Sequence, residues 1–364
     1  MTPARGGPHL AFVTEADEWG GAESVLEVLV RRATAAAGRV SVLGVDRAVV
    51  DRLLAAAPAG ADRVLLPARA AAMDPRPAAA AYRVLRRLRP DLLHVNAGFS
   101  FGSLPLQVAA AAAGVRYVVH EHLPLAPGHP RLQRPLKRWT AARASAVVSV
   151  GERAARATEL HGGLPPGSVR VIRLGVPSAR TQPRRVGDRR HLVVVGRLTT
   201  QKGVDLLVRC LPDLPDVDLT VVGEGPERPA LLALATTLGV RERVQLIGQQ
   251  VDARALLAGA DVVAVPSRWE SGPLVLLEAM AEGRPVVVSD VGFAGEALDG
   301  ERCGRLVPVE DVPALTGALR ELLADPAGAA RLGEAARARV LDQFGEDVMV
   351  AAWRALYQEL AGAA

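Results

Sequence analysis

Two short segments of the 364-residue sequence hold residue types that could do chemistry at useful spacing. In Ser267-Arg-Trp-Glu270-Ser271-Gly272-Pro273-Leu274-Val-Leu-Leu-Glu278, a strand-like run gives way to a Gly/Pro loop and then to a helical pattern. Free backbone N–H groups at such a helix start attract anions. Glu270 and Glu278, eight residues apart, could hold sugar hydroxyls beside a phosphate. On spacing alone, a helix-start acid and a solvated glutamate explain the pair equally well. The second segment, Gly196-Arg197-Leu-Thr-Thr-Gln-Lys202-Gly203, brings two cations five residues apart to a strand end and a tight turn. That pair suits a diphosphate, with Arg giving a bidentate grip and Lys a compact point charge.

Composition adds weight to one of these residues. Of the 44 basic residues only Lys137 and Lys202 are lysines, and Asn96 is the sole asparagine. Where surface cations are almost always written as arginine, Lys202 marks a site that wants an ammonium. Near the N-terminus, Gly20 and Gly21 follow a strand-like run ending at Thr14 and allow close backbone approach to a phosphate or sugar. A plain flexible turn would explain them as well. His120-Glu121-His122 closes another strand-like run. His-x-His also occurs in metal sites, but no third ligand stands nearby in the sequence.

These groups need a scaffold, and the chain reads as repeated βα units. Strand-like runs fall at 9–14, 39–45, 63–67, 91–96, 115–120, 146–150 and 169–174, then at 191–197, 218–223, 244–248, 261–266 and 285–290. Runs such as Leu192 to Val195 are apolar without alternation, the pattern of parallel strands covered on both faces. Helical patterns at 22–35, 76–89, 226–238 and 273–282 intervene. The expectation is an α/β protein of two Rossmann-like, doubly wound parallel-sheet domains. Residues 1–176 form the first domain, the Pro/Gly/Arg-rich 177–190 an exposed linker, and 191–343 the second domain. Ligands are expected in a cleft facing the C-terminal strand ends. Residues 344–364 form an amphipathic helix through Met349, Trp353, Tyr357 and Leu360, docking back on the first domain.

Charge divides along the same line: 23 Lys/Arg against 13 Asp/Glu in residues 1–176, and 21 against 26 in residues 177–364. Aromatics make up 3% and interleave with no basic block, which argues against nucleic-acid binding. Cys210 and Cys303 are too few for a disulfide framework, and residues 1–14 show no secretory leader, so the expected location is cytoplasmic. In residues 130–143, Arg131, Arg134 and Arg138 recur at helical spacing, with Leu132, Leu136 and Trp139 on another face and Lys137 among them. Such a helix could touch an anionic membrane at the inner face or an acidic acceptor, or simply be solvated.

Taken in order, the Gly-Gly-Ala-Glu loop after the first strand, Gly-Arg-Leu-x-x-x-Lys-Gly, Gly223-Glu-Gly-Pro226-Glu-Arg and Glu270-x7-Glu278 resemble the retaining nucleotide-sugar glycosyltransferases of family 4, group 1, which have the GT-B fold. The resemblance implies transfer of a sugar from a UDP-, GDP- or dTDP-sugar to a hydroxyl acceptor, namely a lipid, a glycan or a small natural product, with no metal or other cofactor. It implies that Arg197 and Lys202 bind the donor diphosphate, that Glu278 accepts from the ribose hydroxyls, and that Glu270 touches the transferred sugar. It further implies that the backbone of Ser271, Gly272, Pro273 and Leu274 holds sugar and phosphate, that the nucleobase rests near Gly248 and Gln249, and that Gly20 and Gly21 face the diphosphate. A histidine lies beside the reacting sugar in the family; counting from Gly114 favours His122 over His120. Where the family commonly has Gly-Phe-Gly after the first glutamate, this chain has Ser271-Gly272-Pro273, which leaves the donor sugar open. A nucleotide-sugar epimerase of the same fold and a non-catalytic sugar-nucleotide binding protein are the alternatives.

Overall fold

A computed structural model describes residues 7–35, 37–69, 74–98, 103–123, 133–187, 189–250 and 253–362. Arg131 and Leu132, from the basic stretch 130–143, lie outside the described residues. The strands, in chain order, are β1 (His9–Thr14), β2 (Arg39–Gly44), β3 (Asp62–Leu65), β4 (Leu92–Ala97), β5 (Tyr117–Glu121), β6 (Ala146–Ser149), β7 (Val169–Val171), β8 (Arg190–Val195), β9 (Val217–Val222), β10 (Val244–Leu246), β11 (Val262–Val265), β12 (Val286–Ser289) and β13 (Arg305–Val307). The α-helices are α1 (Gly21–Val28), α2 (Arg47–Ala56), α3 (Arg76–Leu88), α4 (Leu104–Ala113), α5 (Arg134–Ala141), α6 (Glu152–Gly162), α7 (Val204–Cys210), α8 (Arg228–Thr237), α9 (Ala253–Ala258), α10 (Leu274–Ala281), α11 (Ala294–Leu298), α12 (Val312–Ala324), α13 (Pro326–Gln343) and α14 (Glu346–Gly362). No helix among the described residues is long and apolar enough to cross a membrane.

The chain divides into two compact units, one of residues 1–175 with 346–364 and one of 176–345. The first unit carries a seven-stranded sheet in the order β3-β2-β1-β4-β5-β6-β7, and every pairing is parallel. The second carries a six-stranded parallel sheet, β10-β9-β8-β11-β12-β13. Helices cover both faces of such sheets, so central strands are apolar on both sides: Leu192, Val193 and Val194 of β8 and Val262, Val263 and Ala264 of β11 are all buried. The strand order reverses between β1 and β4 in the first unit and between β8 and β11 in the second. At such a switch point the loops leaving neighbouring strands diverge and leave a ligand-sized gap outside their C-terminal ends.

Three features differ from the reading of the sequence alone. β13 lies outside the strand-like runs of the sequence, because three residues between Gly304 and Pro308 are too few to show a strand pattern. Residues 177–187 contain no helix and no strand, as a linker would, yet their backbone is fastened to the second unit. Arg184 N–H donates to the Ala255 carbonyl at 2.8 Å, Thr181 N–H to Glu282 at 2.9 Å, and Arg185 pairs with Asp261 at 2.7 Å. Composition shows the exposed arginines but not the carboxylates awaiting them.

The third difference concerns the two lysines. Lys137 is not a solvated cation of α5; it is 1% exposed and ion-paired with the fully buried Glu121 at the end of β5. Leu136 and Trp139 on the same helix are outward, at 42% and 38% exposure, and Arg138 is exposed beside them. The buried carboxylate decides this, since an unpaired charge in that position would cost several kcal/mol.

Candidate active site

In the second unit, four loops leave the C-terminal ends of β8, β9, β10 and β11, and their backbones interlock. Gly223 has a φ of 145°, and a Cβ there would lie 1.9 Å from the Gly196 carbonyl oxygen, so the β9 loop can touch the β8 loop only as glycine. Gly203 has a φ of 64°, and a Cβ would lie 2.1 Å from the Pro266 oxygen, which brings the start of α7 against the end of β11. Gly223 N–H in turn donates to the Gly248 carbonyl at 2.9 Å, tying in the loop after β10.

Within this frame the two chemistry-bearing segments are clasped together. Arg268 N–H donates to the Gln201 carbonyl at 2.7 Å, and the Gln201 side chain returns a bond to the Trp269 carbonyl at 3.0 Å. The Arg268 guanidinium forks onto Asp205 at 2.8 and 2.9 Å and reaches the Thr200 carbonyl at 2.8 Å and Glu310 at 2.6 Å. These carboxylate bonds push the guanidinium pKa further upward. Neither Arg268 nor Asp205 stood out in the sequence, because their 63-residue separation carries no local signal.

The clasp brings Lys202 and Glu270 together. Lys202 Nζ is ion-paired with Glu270, whose carboxylate also accepts from Ser267 at 3.3 Å, and the lysine stem packs over Gly196. Arg197 is exposed just after β8, and its guanidinium makes no hydrogen bond or ion pair among the described residues. Ser271 is buried, and its carbonyl accepts from Phe293 N–H at 3.1 Å. A Cβ on Gly272 would strike the Phe293 ring at 2.3 Å, so the backbone of Gly272 lies directly against that ring. Pro273 stands at the N-cap of α10 and offers no capping side chain, leaving the N–H groups from Leu274 onward without that partner.

Glu278 is half-buried on the second turn of α10, and its carboxylate makes no hydrogen bond or ion pair among the described residues. Burial, reinforced by Glu282 and opposed by Arg254, holds its pKa above the ordinary carboxylate value. Gly248 and the exposed Gln249 sit on the loop after β10.

In the first unit, Gly20 and the first helical residue Gly21 are both exposed at the start of α1, beyond the end of β1. Glu23, three residues after the N-cap, is buried, and Thr14 donates to it at 3.1 Å. The two histidines at the end of β5 have different surroundings. His120 is fully buried, with its ring centroid 4.7 Å from that of Trp353 on α14 and 5.4 Å from that of His94. Neither of its ring nitrogens has a partner among the described residues. His122 is only partly buried, just beyond the C-terminal end of β5, and its Nε2 lies 2.8 Å from Asn96 Oδ1. Burial holds the pKa of His94 and His122 down at about 3 and that of His120 well below its ordinary value, so all three rings are neutral at physiological pH.

The family profile for "Glycosyltransferase Family 4" matches residues 19–180, and that for "Glycosyl transferases group 1" matches residues 176–339. The chain belongs to the family 4 glycosyltransferases. Among curated relatives of this family 4 chain, a glycogen synthase of Mycobacterium tuberculosis is 36% identical over 212 residues, covering 55% of this chain and 50% of the relative. A GDP-mannose-dependent alpha-(1-6)-phosphatidylinositol monomannoside mannosyltransferase of Mycolicibacterium smegmatis is 40% identical over 185 residues, covering 46% and 48%. The chain thus spans about half the length of the curated relatives it matches. Among solved structures, Anabaena HepE in complex with UDP-glucose superposes with a TM-score of 0.85 at 22% identity, covering 97% of this chain and 99% of that one. That likeness shows the GT-B fold.

Proposed function

We propose that this family 4 chain is a retaining glycosyltransferase that moves a sugar from a nucleoside-diphosphate sugar to a hydroxyl-bearing lipid, glycan or small molecule. The observation that carries the reading is the set of groups on the loops outside the β8/β11 switch point: an Arg197 guanidinium without a partner among the described residues, Lys202 beside Glu270, a helix start at Leu274 without a capping side chain, and a Glu278 carboxylate without a partner among the described residues. In the proposed roles, Arg197 and Lys202 take the diphosphate, the α10 N–H groups hold its oxygens, and Glu278 accepts from the ribose hydroxyls. The loop of Gly248 and Gln249 meets the nucleobase, and Glu270 with the 271–274 backbone meets the sugar.

Glu270 is already engaged by Lys202 and Ser267, which suits a hydrogen-bond acceptor for sugar hydroxyls better than a free nucleophile. That favours front-face attack. The bond from the anomeric carbon to the phosphate oxygen breaks first, and the acceptor oxygen adds on the face the diphosphate leaves, giving it its proton. Charge on the departing diphosphate is the main barrier, and losing one preorganised donor to it costs about 3–4 kcal/mol, roughly a thousandfold in rate.

In the first unit, Gly20, Gly21 and His122 are proposed to serve the same reaction. Peripheral contact with an anionic membrane is proposed for the outward face of α5, where Leu136 and Trp139 stand among arginines. Loss of vesicle binding in Trp139→Ala would support it, and equal binding to neutral vesicles would contradict it.

The test of function is incubation with UDP-, GDP- and dTDP-sugars and an acceptor panel, reading the released diphosphate and the anomeric configuration of the product. Retained configuration, with turnover lost in Lys202→Ala, is the expected result. An inverted product, an epimerised donor in the absence of acceptor, or full turnover in Lys202→Ala would each overturn the reading.

A further inference from the structure

The sole asparagine of the chain lies at the switch point of the first sheet, on β4 opposite Thr14 of β1 and His120 of β5. Asn96 is 2% exposed, and its amide bridges two pieces that the proposed function uses. On one side Nδ2 donates to Glu23 Oε1 at 3.2 Å and faces the Ala22 carbonyl at 3.5 Å, both at the start of α1. On the other side Oδ1 lies 2.8 Å from His122 Nε2. An asparagine amide can be turned either way, and its partners decide which. A backbone carbonyl only accepts, and the Glu23 carboxylate already takes the Thr14 hydroxyl proton at 3.1 Å. The NH2 group of Asn96 must therefore face α1, and its oxygen must face the histidine.

We propose that Asn96 is a positioning residue that holds His122 as the Nε2–H tautomer, so that ring Nδ1 meets the substrate as a neutral hydrogen-bond acceptor. This rests on the transferase reading for the word substrate, but the tautomer itself does not. Nδ1 has no partner among the described residues, and His122, unlike the fully buried His120, is only partly buried. The ring cannot relax toward its neighbours, since the His120 ring lies 3.9 Å away, centroid to centroid, and the His122 N–H donates to the Ala97 carbonyl at 3.0 Å. The consequence is a rule of selection: whatever group faces Nδ1 must bring a hydrogen. A hydroxyl or amine fits, whereas a phosphate or carboxylate oxygen would meet a lone pair. Asn96 also ties the histidine to the turn of Gly20 and Gly21, because its partner Glu23 stands in the first turn of α1, three residues after Gly20. One side chain thereby sets the register between the helix start and the imidazole.

The test is nitrogen NMR of the full chain labelled only at histidine, with His122 assigned from the signal lost in His122→Gln. The expected result is a protonated, slowly exchanging Nε2 and an unprotonated Nδ1, unchanged from pH 8 to pH 5. A protonated Nδ1, rapid exchange between the two forms, or titration near the ordinary histidine value would overturn the proposal. These readings need no variant at Asn96 and no substrate, so their failure is distinct from failure of the transferase reading. In Asn96→Leu, the slow Nε2–H signal should be lost, and turnover should fall by about a hundredfold, as a displaced catalytic group does. KM for the donor should change far less. A variant that keeps both the Nε2–H signal and wild-type turnover would contradict the assignment.

Discussion

Replacing Glu278 by glutamine separates what that carboxylate does for a ligand from what it costs the fold. The side chain stands half-buried on α10 with no hydrogen bond or ion pair among the described residues, so a bound ribose would be its first partner. Hydrogen bonds to a charged group contribute about 1.5–3 kcal/mol each. Glutamine keeps one acceptor oxygen and loses the charge, so affinity for the nucleoside diphosphate should fall by roughly ten- to a hundredfold. Calorimetric titration measures this directly, and the 2′,3′-dideoxy nucleotide supplies the control. It should bind the wild type weakly and lose little more in Glu278→Gln, because the hydroxyls that Glu278 would hold are already absent.

Stability should move the other way. The folded-state pKa of Glu278 is raised by burial, so the folded protein holds that proton more tightly than the unfolded chain. The stabilising influence of protonation is complete below the unfolded value and is lost as pH rises through the raised one. At pH 7.5 the charged form burdens the fold, and glutamine removes the burden. Tm should therefore rise in the variant at pH 7.5 and match the wild type near pH 4. Unchanged nucleotide affinity, or a lower Tm at pH 7.5, would refute the reasoning.

Three further perturbations probe the scaffold. Lys137→Met leaves the fully buried Glu121 without its ammonium and should cost about 3–5 kcal/mol, lowering Tm by roughly 6–20 °C; calorimetry should show most of this recovered in Lys137→Met with Glu121→Leu. His94, His120 and His122 all have lowered folded-state pKa values, so the unfolded chain takes up their protons first as pH falls below about 6.5. Stability should drop by as much as about 1.4 kcal/mol per pH unit for each histidine between pH 6 and pH 4, with a shallower slope in His94→Gln measured by urea unfolding. Arg268→Lys should loosen the clasp between the Lys202 and Glu270 loops, since an ammonium cannot fork onto Asp205, and nucleotide affinity should fall although no ligand contact is removed.

The sequence made the parallel sheets legible because central strands such as β8 and β11 must be apolar on both faces, and turn residues mark where they end. The short edge strand β13 escaped, having neither length nor an unbroken apolar run. Of the candidate site, the parts carried by contiguous segments were readable: Lys202 and Glu270 each announced themselves within a loop. What joins them was not, because the Arg268 fork on Asp205 spans 63 positions and the Asn96 bridge reaches Glu23 across 73 and His122 across 26. The count from Gly114 favours His122, but the different burial of His120 and His122 was not legible in the strand. Residues two apart on a strand face the same side, and what seals His120 is Trp353, supplied by a helix more than two hundred residues later. Lys137 shows the same limit, its burial being set by a carboxylate on another element.

The account stands most directly on a calorimetric titration of the purified chain with UDP, GDP and dTDP, repeated on Arg197→Ala and Lys202→Ala. It predicts saturable binding of at least one nucleoside diphosphate, weakened tenfold or more in each variant, as expected for the loss of about 1.4 kcal/mol or more. Binding of none of the three, or binding as tight in both variants as in the wild type, would contradict it.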